Sequence, residues 1–162
     1  MNRTRQLELV AALLAAESTL ALATTDASGL AAVAPLFYIA DEEFSLYWVS
    51  SHKSPHSQNV QRDPRVAVTV YKRTHNWREI CGVQMKGKAS AVTDAMHRKH
   101  LINVYNEQFD LGRLLRTAMA QGTLYVFRPD WLRYIDNSRG FGYRFEITFD
   151  DVPPPVASDT SS

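Results

Sequence analysis

The hydrophobic period changes at Thr19, and that change constrains the fold more than any other feature of the sequence. Before it, Leu7, Val10, Ala11 and Leu14 recur at i, i+3, i+4 and i+7. This spacing predicts an amphipathic helix over residues 4–18. After it come short β-prone runs separated by turn residues. The first two, 19–25 and 30–40, flank Asp26-Ala27-Ser28-Gly29, where glycine can take a positive φ. Pro35 marks the second run as an edge strand or the site of a bulge. Asp41-Glu42-Glu43 turns the chain again, into an apolar and aromatic run over 44–51.

The remainder continues in this way. Ser54 stands at an N-cap position and Pro55 at the first helical position, where its missing N–H costs nothing. That helix runs to about residue 63 and stops at Pro64. Val66, Val68 and Val70 alternate along a strand over 65–73. A loop over 74–80 leads to a strand over 81–92, with Val83, Met85 and Gly87 on one face. Thr93 or Asp94 caps a helix reaching about residue 109, in which Leu101, Val104 and Tyr105 share a face. Gly112 separates it from a second helical piece over 113–121. Strands are expected over 123–127, 131–136 and 140–150. In the last, Tyr143, Phe145, Ile147 and Phe149 point one way. From Asp151 onward, three consecutive prolines and a Ser/Thr-rich end predict a disordered tail. Six or more antiparallel strands with a few helices make an α+β fold, a small β-barrel with flanking helices over residues 1–150. Strands and helices do not alternate as βαβ units, which argues against a Rossmann sheet.

Composition narrows the function classes. Lys and Arg total 18 against 17 Asp and Glu, so the net charge of +1 argues against a dedicated nucleic-acid binder. With one cysteine, the chain has neither a disulfide framework nor a Cys-built zinc site. Arg3 and Arg5 followed by an apolar run have the outline of a signal peptide, but Glu8 and Glu17 interrupt it. A cytoplasmic protein without a membrane span is expected. No Gly-rich dinucleotide fingerprint, phosphate loop or nucleophile elbow occurs. His97 and His100 share a helix face but have no suitably spaced third ligand. Cys81 reads as a small buried strand residue.

The most informative stretch is Tyr47-Trp48-Val49-Ser50-Ser51-His52-Lys53-Ser54-Pro55-His56. It joins a strand, a polar turn and a helix N-terminus. Free N–H groups and the positive end of the helix dipole suit such a junction to an anion, and Lys53, Ser54 and His56 add donors. A plain helix cap with solvated charges is the alternative. Between Lys53 and Lys88 there are eight basic residues and two acidic ones, which concentrates positive charge in this part of a nearly neutral chain. A phosphate ligand accounts for that. Single-stranded nucleic acid is the other reading, with Trp48 and Trp77 as stacking platforms.

Ser50, Ser54 and Pro64 stand in the order of a strand, a phosphate-gripping turn, a helix and a strand-opening proline. In this they resemble the FMN-binding split barrel family, the pyridoxamine-phosphate-oxidase-like proteins. Gly82-Val-Gln-Met-Lys-Gly-Lys88 and the Asp-Asn-Ser-Arg-Gly-Phe-Gly run at 136–142 resemble a small uncharacterised branch of the same superfamily. The resemblance implies a split barrel, FMN as cofactor, and a homodimer with flavin at its interface. It implies that Ser50, Lys53, Ser54 and His56 hold the phosphate, and that Pro35, Leu36 and Phe37, with Trp48 and Val49, flank the ring. It further implies that Gln84 meets the ring edge and that Asn137, Ser138 and Arg139 arrive from the C-terminal segment, of the same or the second subunit. Arg139 would then stabilise reduced, anionic flavin. An FMN-dependent oxidoreductase acting on a small molecule follows from this. A flavin- or haem-binding module without turnover is the alternative. The chain departs from the family at Pro55-His56, where the family carries Arg-Lys. It also lacks the arginine expected near residues 34–37 and the C-terminal substrate-gripping pattern. The resemblance therefore points to a flavin site more than to vitamin B6 chemistry.

Overall fold

Alternation of large apolar with small or polar residues decides which face of each strand is buried. The computed structural model describes residues 1–110, 112, 116, 117 and 120–149. Among these, eight strands form one antiparallel sheet: β1 (Thr19–Thr25), β2 (Ala31–Phe37), β3 (Ile39–Ala40), β4 (Leu46–Ser50), β5 (Arg65–Tyr71), β6 (Cys81–Ala91), β7 (Thr123–Asp136) and β8 (Arg144–Thr148). Three helices accompany them: α1 (Arg3–Ala16), α2 (Pro55–Arg62) and α3 (Ala95–Gln108). The expected α+β barrel with six or more strands is what the chain forms.

The strand order is β2-β1-β5-β6-β7-β4-β3, with β8 added along the far half of β7. The two ends of that order, β2 and β3, are separated in sequence only by Tyr38. The sheet must therefore curl until its ends meet, which makes the barrel. Tyr38 is buried at this junction. Its hydroxyl donates to the Leu14 carbonyl at 2.8 Å and its N–H donates to the Ser18 carbonyl at 3.1 Å, fixing α1 against the closure. The expected single strand over 30–40 is thus two strands. The chain leaves β1 at Phe37 and joins β4 at Ile39. As Pro35 suggested, β2 is an edge strand, paired only with β1.

One core fills the barrel. Leu20, Leu22, Val66, Val68, Val70, Val83, Met85, Leu46, Trp48, Phe127, Leu132 and Ile147 point inward. Burial of each large side chain contributes about 1.5–3 kcal/mol. The buried face of α1 is Val10, Leu13 and Leu14, while Ala11 is exposed, so Leu13 takes the place expected for Ala11. A second cluster lies outside the barrel, where Leu101 and Tyr105 of α3 cover Ile39, Tyr47, Leu124 and Val126. Val104 packs at its margin. β4 is therefore buried on both faces. α2 closes one end of the barrel through a buried hydrogen bond from Asn59 Nδ2 to Thr24 Oγ1 (3.0 Å) and one from Arg62 to the Thr25 carbonyl (2.8 Å).

β7 is one strand of 14 residues, not two. What reads as a break in the sequence is a bulge. Lys86 pairs with Trp131 and Gly87 with Pro129, so Asp130 is the extra residue. Before the bulge Tyr125 and Phe127 face the core; after it Leu132 and Tyr134 do. Tyr143, Phe145 and Phe149 pack against the same core beside Ile147, as their alternation predicts, although β8 itself is shorter than the expected 140–150. The helical piece expected over 113–121 lies largely outside the described residues, and the tail from 151 wholly so.

Candidate functional site

At the C-terminal end of β4 the chain turns through 51–54 into α2. Ser54 is the N-cap and Pro55 opens the helix, but the Ser54 side chain does not cap it. Its hydroxyl lies 2.8 Å from both the Ser51 carbonyl and Ser57 Oγ, which leaves the first-turn N–H groups without that partner. His56 folds back over the turn. Its Nε2 lies 2.7 Å from Ser50 Oγ and 3.1 Å from Ser54 Oγ, and the two hydroxyls are 3.2 Å apart. Three of the four residues expected at the phosphate thus form one cluster. The fourth, Lys53, donates its backbone N–H to Ser51 Oγ and extends its side chain into solvent beside them. Burial pushes the His56 imidazole below its usual pKa. Hydroxyls, uncapped helix-start amides, a lysine and an imidazole in one turn make a donor set that fits a phosphate. Sequence reading missed Ser57, which the helical spacing of three from Ser54 would have supplied.

A second feature covers the outer face of the sheet. Register places Pro35, Ala21, Thr69, Gln84, Arg133 and Glu146 in one row across six strands. The neighbouring row is Val33, Ala23, Ala67, Lys86, Trp131 and Thr148. Alanines at three of these positions leave a groove of about 440 Å³ with Gln84 on its floor. Its wall is a charged aromatic stack. Trp131 has Lys86 Nζ 5.2 Å and the Arg133 guanidinium 5.3 Å from its ring centre, and Glu146 accepts from both Trp131 Nε1 and Arg133. Val33 and Phe37 remain 69% and 53% exposed on the same face. Trp131 and Arg133 escaped sequence reading because the bulge reverses which side of β7 faces outward.

The other expected residues lie elsewhere. Leu36 turns toward the barrel core. Trp48 is 1% exposed, stacked on Tyr125 inside the barrel, and its indole N–H has no hydrogen-bond partner. Val49 packs under α3. Asn137 and Arg139 sit past the end of β7, in a turn opposite to the end that carries Ser50. Asn137 ties two loops together, donating to the Trp77 carbonyl at 2.9 Å and accepting from the Gly142 N–H at 3.2 Å. Arg139 pairs with the buried Asp136 at 3.0 Å. Cys81 is half-buried rather than buried as expected; it lies against the Tyr134 hydroxyl at 3.3 Å, and partial burial pushes its thiol up. Among the described residues no group of three or more His, Cys, Asp or Glu is placed to hold a metal ion.

Residues 7–136 match the family model of pyridoxamine 5'-phosphate oxidase. The chain belongs to this family. The UPF0306 protein YhbP of Escherichia coli O157:H7 (strain EC4115 / EHEC) is a relative, 30% identical over 109 residues that span 65% of this chain and 69% of that one. Solved structures share the oxidase-family fold. ChuZ of Campylobacter jejuni superposes with a TM-score of 0.77 at 16% identity, over 91% of this chain and 61% of that one. The heme storage protein HutZ of Vibrio cholerae gives 0.64 at 20% identity, over 74% and 87%. A FAD-binding protein of Mesorhizobium loti gives 0.60 at 21%, over 78% and 89%. Among the described residues, no helix is long and apolar enough to cross a membrane.

Proposed function

We propose that the chain binds FMN and serves as a flavin-dependent oxidoreductase for a small molecule, with two sites in a homodimer. The observation that carries this is the Ser50–Ser54–His56 cluster at the uncapped start of α2, a phosphate-shaped donor set inside an oxidase-family barrel. Bound flavin would supply hydride or electron transfer, and the protein would position and tune it. Ser50, Ser54, Lys53 and His56 hold the phosphate. Gln84 offers an amide to the ring edge, above a floor of alanines that lets a planar group approach the sheet. Pro35 and Phe37 border it from the edge strand.

Asn137 and Arg139 enter this reading from the second copy. Ser50 pairs with Thr123 at the start of β7, and Asp136 ends that strand. Thirteen residue steps at about 3.3 Å each amount to roughly 40 Å along the strand, beyond the reach of one mononucleotide. A second subunit brings the Arg139 turn to the first subunit's cluster. The Arg139 guanidinium, held by Asp136, would supply positive charge to stabilise reduced, anionic flavin.

The test is the visible spectrum of purified protein incubated with FMN, and separately with haem. Flavin absorbance that stays with the protein through gel filtration and bleaches with a reduced nicotinamide is the expected result. Retention of haem with no retention of FMN would overturn it. That outcome favours a haem-binding module, the reading suggested by the likeness to HutZ.

A further inference from the structure

We propose that His56 binds the flavin phosphate with uptake of one proton, so that retention of FMN tightens as the pH falls while retention of riboflavin does not change. This rests on reading the Ser50–Ser54–His56 cluster as the phosphate site. The argument begins with hydrogen-bond capacity. Ser54 has one proton and lies 2.8 Å from two acceptors, the Ser51 carbonyl and Ser57 Oγ. Ser50, 2.7 Å from His56 Nε2, is then the hydroxyl free to donate to it, an arrangement open to the neutral imidazole with Nε2 as acceptor. Burial favours that neutral form as well. A phosphate arriving at the cluster reverses that role. The dianion's oxygens accept only, so Nε2 must donate; a change of tautomer achieves that without charge, whereas a second proton on the ring achieves it and also supplies the positive charge that the anion lacks in a half-buried site.

Of the ionisable groups around α2, His56 is the one that bonds the cluster's hydroxyls. β1 and β2, on which α2 packs, carry no ionisable side chain, and Lys86 and Lys88 of β6 face the outer surface. Tyr47, on β4, gives its hydroxyl to Asp41. In the turn, His52 and Lys53 are exposed. Arg62 of α2 bonds Thr25 and Asn59 at the other end of the helix, and Asp63 pairs with Arg65. Among the described residues no carboxylate hydrogen-bonds His56, so its charge in the free protein follows its burial alone.

The size of the effect follows from linkage. Above pH ~6 the phosphate monoester is largely a dianion, and the free imidazole is neutral above ~6.5. In the window from pH ~8 to ~6.5, binding takes up one proton and affinity rises about tenfold per unit of acidification. Below pH ~6 the ligand itself carries the proton and the dependence flattens.

The experiment titrates the full chain with FMN and with riboflavin by flavin fluorescence between pH 6 and 8. Calorimetry in two buffers of different ionisation enthalpy counts protons taken up. A slope near tenfold per unit for FMN, none for riboflavin, and about one proton per FMN are expected. His56→Lys, charged across this range, should bind FMN without the slope, and His56→Gln should bind weakly and also without it. FMN binding that is independent of pH, or a slope that persists in His56→Gln, overturns the inference and leaves the flavin reading standing. No FMN binding at any pH, in the parent or in His56→Lys, overturns the flavin reading and the inference together. The calorimetric count on the unaltered chain decides the matter should His56→Gln fail to fold.

Discussion

Gly87→Ala tests the bulge that shapes the outer face. A methyl group on Gly87 would lie 2.0 Å from the Arg128 carbonyl oxygen and 2.9 Å from both Arg128 C and Pro129 Cα. All three are backbone atoms of β7, so no side chain can swing aside. β7 has to move by about an ångström or more at its bulge. Overpacking of this kind costs about 1–3 kcal/mol. One or two strained ladder hydrogen bonds add about 0.5–1.5 kcal/mol each. The stiffer unfolded chain returns about 0.4–1 kcal/mol. The net loss is about 2–4 kcal/mol, a large part of the stability of about 5–15 kcal/mol normal for a domain. At about 2–4 °C per kcal/mol for a chain of this size, Tm should fall by roughly 8 °C. Urea unfolding and thermal circular dichroism of the parent and the variant measure this. Gly82→Ala is the comparator, because its methyl would meet Tyr71 Cβ at 3.0 Å and the Val70 carbonyl at 3.2 Å, a tight but yielding contact. A Gly87→Ala protein melting within about 2 °C of the parent, or no lower than Gly82→Ala, refutes the reasoning.

Three other predictions follow from the same geometry. Tyr38→Phe removes the hydroxyl that satisfies the Leu14 carbonyl at the barrel closure, and urea unfolding should show a loss of about 1–3 kcal/mol. His56 makes stability depend on pH. Its folded-state pKa is depressed, so the unfolded chain binds the proton more readily, and stability should fall as the pH drops below about 6.5 and level off beneath the folded pKa. The difference between His56→Gln and the parent in urea midpoints at pH 7.5 and 5 isolates this contribution; an identical pH dependence in the two proteins contradicts it. Cys81, with a thiol raised by burial, should react with Ellman's reagent far more slowly in the native protein than in denaturant, and fast native labelling would show the strand end to be open.

Much of the barrel is legible in the sequence because each hairpin signals itself locally. Asp26 and Gly29 set the first turn: the Asp26 carboxylate accepts from the Ser28 and Leu30 N–H groups, and Gly29 sits at φ +86°. Ser54-Pro55 and Pro64 bracket α2 in the same local way. The divided strand around Tyr38 is not legible. Nothing near residue 38 reports that β3 pairs with β4 while β2 pairs with β1; only closure of the whole sheet requires it. The phosphate cluster is legible for a different reason. All its members lie within eight residues of chain, so one turn decides whether they meet.

The outer groove depends on both kinds of information. Ala21, Ala23, Ala67, Thr69 and Gln84 can be assigned to one face by counting in twos from Leu22, Val68 and Met85. The same count carried through β7 from Phe127 puts Trp131 and Arg133 inside the barrel. Their place outside depends on Asp130, the one residue that β6 leaves unpaired, and Asp130 can be left over only because Gly87 lets β7 come close enough to bulge. A wall of tryptophan, lysine and arginine beside a floor of alanines is therefore a consequence of one glycine on the neighbouring strand. That glycine stands within the run Gly82–Lys88, which also supplies Gln84 to the floor and Lys86 to the wall. The residues of this run that line the groove and the glycine that shapes it are then under a single constraint: changing the glycine moves the wall, while changing Gln84 or Lys86 alters the surface without moving it.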